Sequence, residues 1–208
     1  LLMDQVVPGG VKTDLHEEGK ELIRALLRES RDRFPELIEL YDNTASLQDR
    51  TVGTGVLSAT LARQFGCGGY VGRASGRNFD ARRTPGYPPY DALQFDVPVL
   101  NEGDVDARVW IRIREALIEQ ILQRLPPGPI GAVPADLSAP STASSREGVA
   151  LVEGFRGDVL VWVRTGGNGI IERCHLRDPS WFQWPVLESV VEGNIVADFP
   201  LCNKSFNC

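Results

Sequence analysis

The chain has 208 residues, 42% of them hydrophobic, and 22 basic against 28 acidic side chains for a net charge of −6. That size and apolar fraction suffice for one compact domain, and residues 1–208 are read as a single one. Lys and Arg are scattered rather than striped, which argues against a nucleic-acid partner, and no 18-residue apolar run is present, which argues against a direct membrane span.

Leu1-Leu2-Met3-Asp4 carries neither a basic n-region nor a cleavage pattern, so export is not expected. The chain starts without Met and stops at a cysteine, so both ends read as internal to a longer polypeptide.

After Pro8-Gly9-Gly10, Asp14 and Glu17 form a capping box, and Leu15, Gly19, Leu22, Ile23, Leu26 and Leu27 mark one face of a helix over 14–30. A second helix is expected from Pro35 through Leu37, Ile38 and Leu40 to about Asn43, the two packing as a helical hairpin. Residues 51–98, rich in Gly and Pro, predict mostly loop around one short helix near 57–65. Val105, Val109, Ile113, Leu117, Ile121 and Leu125 then predict the longest helix, capped by Asp104 and stopped by Pro126-Pro127-Gly128.

Residues 126–146 hold five prolines and no apolar period, and read as an exposed Pro/Ser/Ala-rich loop. Asp158–Thr165 and Ile170–Arg177 predict two strands of an antiparallel hairpin joined by Gly166-Gly167-Asn168-Gly169. In the second, Cys174 and Leu176 alternate with Arg173, His175 and Arg177, so one face is wet or meets a partner. Asp178 caps a turn at Pro179, and a short helix follows Pro185 and ends at Gly193. The fold class is α+β, mainly α.

Cys67, Cys174, Cys202 and Cys208 form no C-x-x-C pair, and His16 and His175 have no acidic residue at ligand spacing, so free thiols and no metal site are expected. Gly66-Cys67-Gly68-Gly69-Tyr70-Val71-Gly72 fails as a dinucleotide loop, because Val71 stands where the third glycine belongs and a helical segment precedes it; it reads as a tight structural loop. No G-x-S-x-G elbow occurs.

Arg73, Ser75, Gly76, Arg77, Asp80, Arg82, Arg83, Tyr87, Tyr90 and Asp91 crowd charge into an aperiodic stretch, where Arg–Asp pairs satisfy loop backbone. Two readings stay open for Arg73, Asp80, Arg82, Tyr87 and Asp91: a buried ion-pair network, or a subunit interface or substrate channel. In Glu153-Gly154-Phe155-Arg156-Gly157-Asp158, a glycine permits close approach beside Arg156, which either makes a salt bridge at the strand start or presents its guanidinium to an anion or cofactor.

Read in order, PGGVKTDL, RTVGTGVLS, GRASGRNFDARRTPGYPPYDALQFDVPV, GDVDARVWIRIRE, LPPGP, VEGFRGDV, RCHLRDPSWFQWPVL and GNIVADFPLCNKSF resemble the C-terminal half of one family. It is the large subunit shared by complex I and the membrane-bound energy-converting [NiFe] hydrogenases, formate hydrogenlyase included. The resemblance covers nearly the whole chain, and the RASG-to-PPY block is its most specific part.

It implies a mainly helical large subunit with small antiparallel sheets, in a membrane-associated complex that couples electron transfer to ion translocation. It implies iron–sulfur clusters in partner subunits, an iron–sulfur small subunit among the partners, and a cytoplasmic place peripheral to the inner membrane through those partners. Arg156 matches an arginine that lies beside the hydrogenase metals in E-x-P-R-G, although Phe155 here replaces the proline. The [NiFe] centre needs two C-x-x-C pairs that these 208 residues lack, so no cofactor is expected in this chain, and a metal only if the full-length protein has both pairs. In complex I the same cavity contributes to a quinone site. A subunit that keeps fold and interfaces without metal or quinone chemistry is the alternative. The chain alone is expected to be inactive, and an exposed apolar patch is expected where the other half packs.

Overall fold

The computed structural model describes residues 6–7, 10–11, 17–116, 145–167 and 169–207. The strands β1 (Val6–Val7) and β2 (Gly10–Val11) form a minimal antiparallel pair. Helices α1 (Glu17–Asn43), α2 (Ala45–Thr51), α3 (Ala59–Gln64), α4 (Gly69–Ala74) and α5 (Val105–Ala116) follow, then strands β3 (Arg146–Gly154), β4 (Gly157–Thr165) and β5 (Ile171–Arg177), and helices α6 (Ser180–Val191) and α7 (Phe199–Phe206).

The core is helical. Leu57, Cys67, Tyr70, Val71, Ile111, Val186, Val190, Cys202 and Phe206 are buried in one cluster joining α4, α5, α6 and α7. The cap expected of Asp104 is present: its Oδ1 accepts from Ala107 N at 2.7 Å, and its Oδ2 ties in Gly53 N at 2.8 Å. Ser58 caps α3 by accepting from Leu61 N at 3.2 Å, so the helix expected near 57–65 is present over 59–64.

The structure corrects several expectations, among them that of the longest helix, which among the described residues is α1 with 27 residues and not the helix that begins at Val105. No hairpin breaks the first helical stretch, because α1 runs 27 residues straight through Pro35. Proline removes one backbone donor but its φ is already helical, and beyond it Tyr41 OH donates to Asp106 Oδ1 at 2.6 Å and the Tyr41 ring meets Trp110 edge-on. Gly66–Gly72 is not all loop, since Gly69–Ala74 is a helix whose six residues are all buried.

The sheet has three strands rather than two, in the order β3-β4-β5, with β4 central. Finally, α6 begins at Ser180, ahead of Pro185, because Asp178 Oδ1 accepts from Ser180 N at 2.8 Å and starts the turn. The Asp14 cap, the helical period beyond 116 and most of the loop at 126–146 fall outside the described residues.

Much apolar surface is left uncovered. On α1, Leu22, Leu26, Leu37 and Leu40 are all more than half exposed and share one stripe by their spacing, with the Glu29–Arg33 ion pair between them. One sheet face carries Ala150, Val152, Val159, Val161, Val163 and Leu176, and none of these is buried. The single wet face expected of β5 is corrected to two, since Cys174 and Leu176 are as exposed as Arg173 and His175.

Candidate functional site

The β3–β4 turn is two residues long: Gly154 pairs with Gly157, leaving Phe155 and Arg156 at the tip. Neither has positive φ, and Gly157 supplies the reversal at φ +133°. The tip lies against the start of α4 with almost no space between backbones. A Cβ on Gly69 would fall 2.4 Å from Arg156 O, and one on Gly157 would fall 2.9 Å from Gly69 N. The glycine run that resembles a nucleotide loop in sequence is therefore a seat for this hairpin.

Three further contacts lock the tip. Gln183 of α6, fully buried, donates from Nε2 to Arg156 O at 2.8 Å. Phe155 lies against Tyr70, with ring centroids 5.6 Å apart. Arg156 Nε donates to Asn207 O, just past α7, where Asn207 takes a left-handed conformation at φ 57°. Arg156 is thus exposed but held by its Nε, and its two terminal nitrogens make no hydrogen bond among the described residues. Of the two readings open for Arg156, the strand-start salt bridge is absent among the described residues, and the hairpin partner at Asp158 pairs with Arg177 instead.

Behind the tip lies a charge cluster. Arg73, 2% exposed, donates from Nη1 to Glu153 at 2.8 Å and to Phe79 O at 3.1 Å, and reaches Glu115 from Nε at 2.7 Å and from Nη2 at 2.5 Å. Asp80 lies 3.4 Å from Arg73 and is gripped by Arg82 from Nε at 2.9 Å and Nη2 at 2.5 Å. Burial pushes the Asp80 carboxyl up, but the hydrogen bonds from Arg82 and the charges of Arg73 and Arg82 outweigh it and hold the group below the ordinary value.

Glu153 also accepts from Ala81 N at 3.0 Å, while its own N–H donates to the Tyr87 hydroxyl at 3.1 Å. The cluster therefore welds α4, the 79–82 loop and the end of α5 to β3, three residues before Arg156.

Of the residues the sequence groups together, Arg73, Asp80, Arg82 and Tyr87 meet here, whereas Asp91 stays exposed outside the cluster. Glu115 and Glu153 were missed. Each lies in another element, and only the position of Glu153 at the head of VEGFRG hinted at a role.

The described residues include three of the four cysteines. Among the described residues no group of three or more His, Cys, Asp or Glu side chains is placed to hold a metal. Cys67 and Cys202 are buried singly and Cys174 is exposed.

The comparisons with known proteins agree with one another. The chain is 35% identical to the carbon monoxide-induced hydrogenase of Rhodospirillum rubrum over 96% of its own length and 55% of that protein's. It is 34% identical to an NADH-quinone oxidoreductase subunit of Syntrophobacter fumaroxidans, over 91% of this chain and 52% of the relative. Formate hydrogenlyase subunit 5 of Escherichia coli is 32% identical over 93% of this chain and 34% of the relative.

Among solved structures, a chain of the membrane-bound sulfane sulfur reductase, an archaeal respiratory membrane complex, superposes with a TM-score of 0.83 at 30% identity, covering 97% of this chain and 57% of that one. The chain thus spans about half the length of most of these relatives. No helix among the described residues is long and apolar enough to cross a membrane. The sequence model of the family described as respiratory-chain NADH dehydrogenase, 49 Kd subunit, matches residues 1–149 and 137–208, and the chain belongs to that family.

Proposed function

We propose that this chain is the C-terminal part of the large subunit of a membrane-associated redox complex, of the hydrogenase or NADH-quinone oxidoreductase type, that couples electron transfer to ion translocation. The single observation that carries the site is the presentation of Arg156. A guanidinium anchored by Nε, on a turn seated in glycine backbone, keeps two terminal nitrogens fixed in direction and, among the described residues, free. Such a group offers a permanent positive charge and paired donors to an anionic or developing negative centre without reorganising.

The chain itself supplies no redox group in this reading. Electron carriers sit in partner subunits, an iron–sulfur small subunit among them, and attachment to the cytoplasmic face of the inner membrane runs through those partners. The uncovered leucines of α1 are the surface that supports docking. The alternative, a silent scaffold, keeps the same surfaces but needs no free guanidinium.

In the complete complex, Arg156→Lys is expected to cut turnover by at least about tenfold while leaving assembly unchanged, because lysine cannot both hold Asn207 O and present two further donors. Unchanged turnover in a fully assembled complex would mean that Arg156 has no site role and would favour the scaffold.

A further inference from the structure

Arg108 of α5 is 0% exposed, yet it forms no ion pair among the described residues. Its direct partners are neutral groups, and the buried Asp104 carboxylate, one turn earlier, acts on it only at a distance. Nε donates to Ser205 Oγ at 2.9 Å, Nη1 to Gly103 O at 2.7 Å and Nη2 to Gly55 O at 2.8 Å, and the guanidinium lies over the Phe206 ring at 4.6 Å. Burial lowers its pKa to about 10, which still leaves it charged at neutral pH.

A buried cation without a direct ion pair is a poor way to stabilise a fold, since an apolar side chain of similar volume avoids the desolvation cost. What a guanidinium adds is direction, through donors held in one plane at fixed angles. Here they bind α7 to the two loops that flank its seat.

The last turn of α7 is gripped residue by residue. The Ser205 hydroxyl accepts from Arg108 and donates to Cys202 O at 2.6 Å. Phe206 O accepts from the fully buried Tyr70 hydroxyl at 2.5 Å. Asn207 O accepts from Arg156. Three successive residues are thus held by donors from α5, α4 and the hairpin tip.

We propose that Arg108 is a positioning residue, which fixes the last turn of α7 and, through the Asn207 carbonyl, sets where the Arg156 guanidinium points. This rests on the site role given to Arg156 above.

The test is a double-mutant cycle in the complete complex, with Arg108→Lys, Arg156→Lys and the pair together, reading turnover per assembled complex and amide hydrogen exchange across residues 203–207. Arg108→Lys is expected to lower turnover by about tenfold, since displacement of a reacting group by a fraction of an ångström to one ångström suffices for that, and to speed exchange at 203–207. The double variant is expected to be no slower than the slower single, because both changes act on one guanidinium.

Losses that multiply, with Arg156→Lys impaired alone, would overturn the role of Arg108 and leave that of Arg156 standing. A silent Arg156→Lys would instead remove the site reading and this inference with it. Unaltered exchange at 203–207 in Arg108→Lys also overturns the inference. Should Arg108→Lys fail to assemble, Ser205→Ala, which removes the acceptor for Arg108 Nε and the hydroxyl's own bond to Cys202 O but leaves the guanidinium in place, is read by the same criteria.

Discussion

Around Arg73, three carboxylates (Asp80, Glu115 and Glu153) face two guanidinium groups (Arg73 and Arg82). That count ranks the variants. Removing one carboxylate charge leaves two against two, whereas removing Arg73 leaves three carboxylates for one cation in a buried site. Arg73→Met is therefore expected to cost about 3–5 kcal/mol, and Asp80→Asn distinctly less.

The pH dependence has a fixed sign. A carboxylate whose folded-state pKa is depressed contributes stability that is complete above its unfolded value, 3.8 for Asp80, and is lost as pH falls through the lower folded value. Urea midpoints measured across pH should show the wild type losing stability in that acid range, and Asp80→Asn losing less of it. An Asp80→Asn protein as unstable at neutral pH as Arg73→Met would contradict the charge count.

Elements show how far sequence reasoning reached and where it stopped. The Asp104 cap and the apolar period located α5, and the alternation in DVLVWVRT located β4, because both signals are local. The third strand, β3, was hidden because it follows a Pro/Ser-rich stretch and most of its side chains are exposed, so no buried alternation marks it. Pro35 misled because the period on either side of it is the same helix, and the contacts holding the second half, Tyr41 to Asp106 and Trp110, are 65 and more residues away in sequence.

Likewise Arg156 stood out beside a glycine, but its seat on Gly69 and its anchor on Asn207 are long-range facts. This yields a paired test. Gly66 and Gly69 both have positive φ, near +60°, but a Cβ on Gly66 meets nothing within 4 Å and one on Gly69 meets Arg156 O. Gly66→Ala is expected to cost about 1–2 kcal/mol from φ alone, and Gly69→Ala about 3 kcal/mol or more as the hairpin is pushed off. Equal losses in thermal unfolding would show that the tip does not depend on this seat.

At the scale of the whole molecule, the helical core is well built, while among the described residues the leucine stripe of one long helix is open and no side chain on one sheet face is fully buried. At a rise of ~1.5 Å per residue, α1 extends ~40 Å, and its exposed leucines sit on a stripe that the other described elements leave uncovered. Charges placed there should be nearly neutral for the chain alone and damaging only in company. Leu22→Lys with Leu26→Lys is expected to change unfolding of the isolated chain by less than about 1 kcal/mol, yet to reduce recovery of the assembled complex severely. Normal assembly of that variant would remove α1 from the docking surface.

The sheet carries its own hazard. Among the described residues no strand pairs with the outer edge of β5, and Ile170, Ile171 and Leu176 beside that edge are all more than half exposed. A row of open amides and carbonyls flanked by aliphatic side chains is a template for another strand, whichever chain supplies it. On the proposed function this edge is offered to other copies of the chain until partners cover it, and yield is then expected to depend on how quickly those partners arrive.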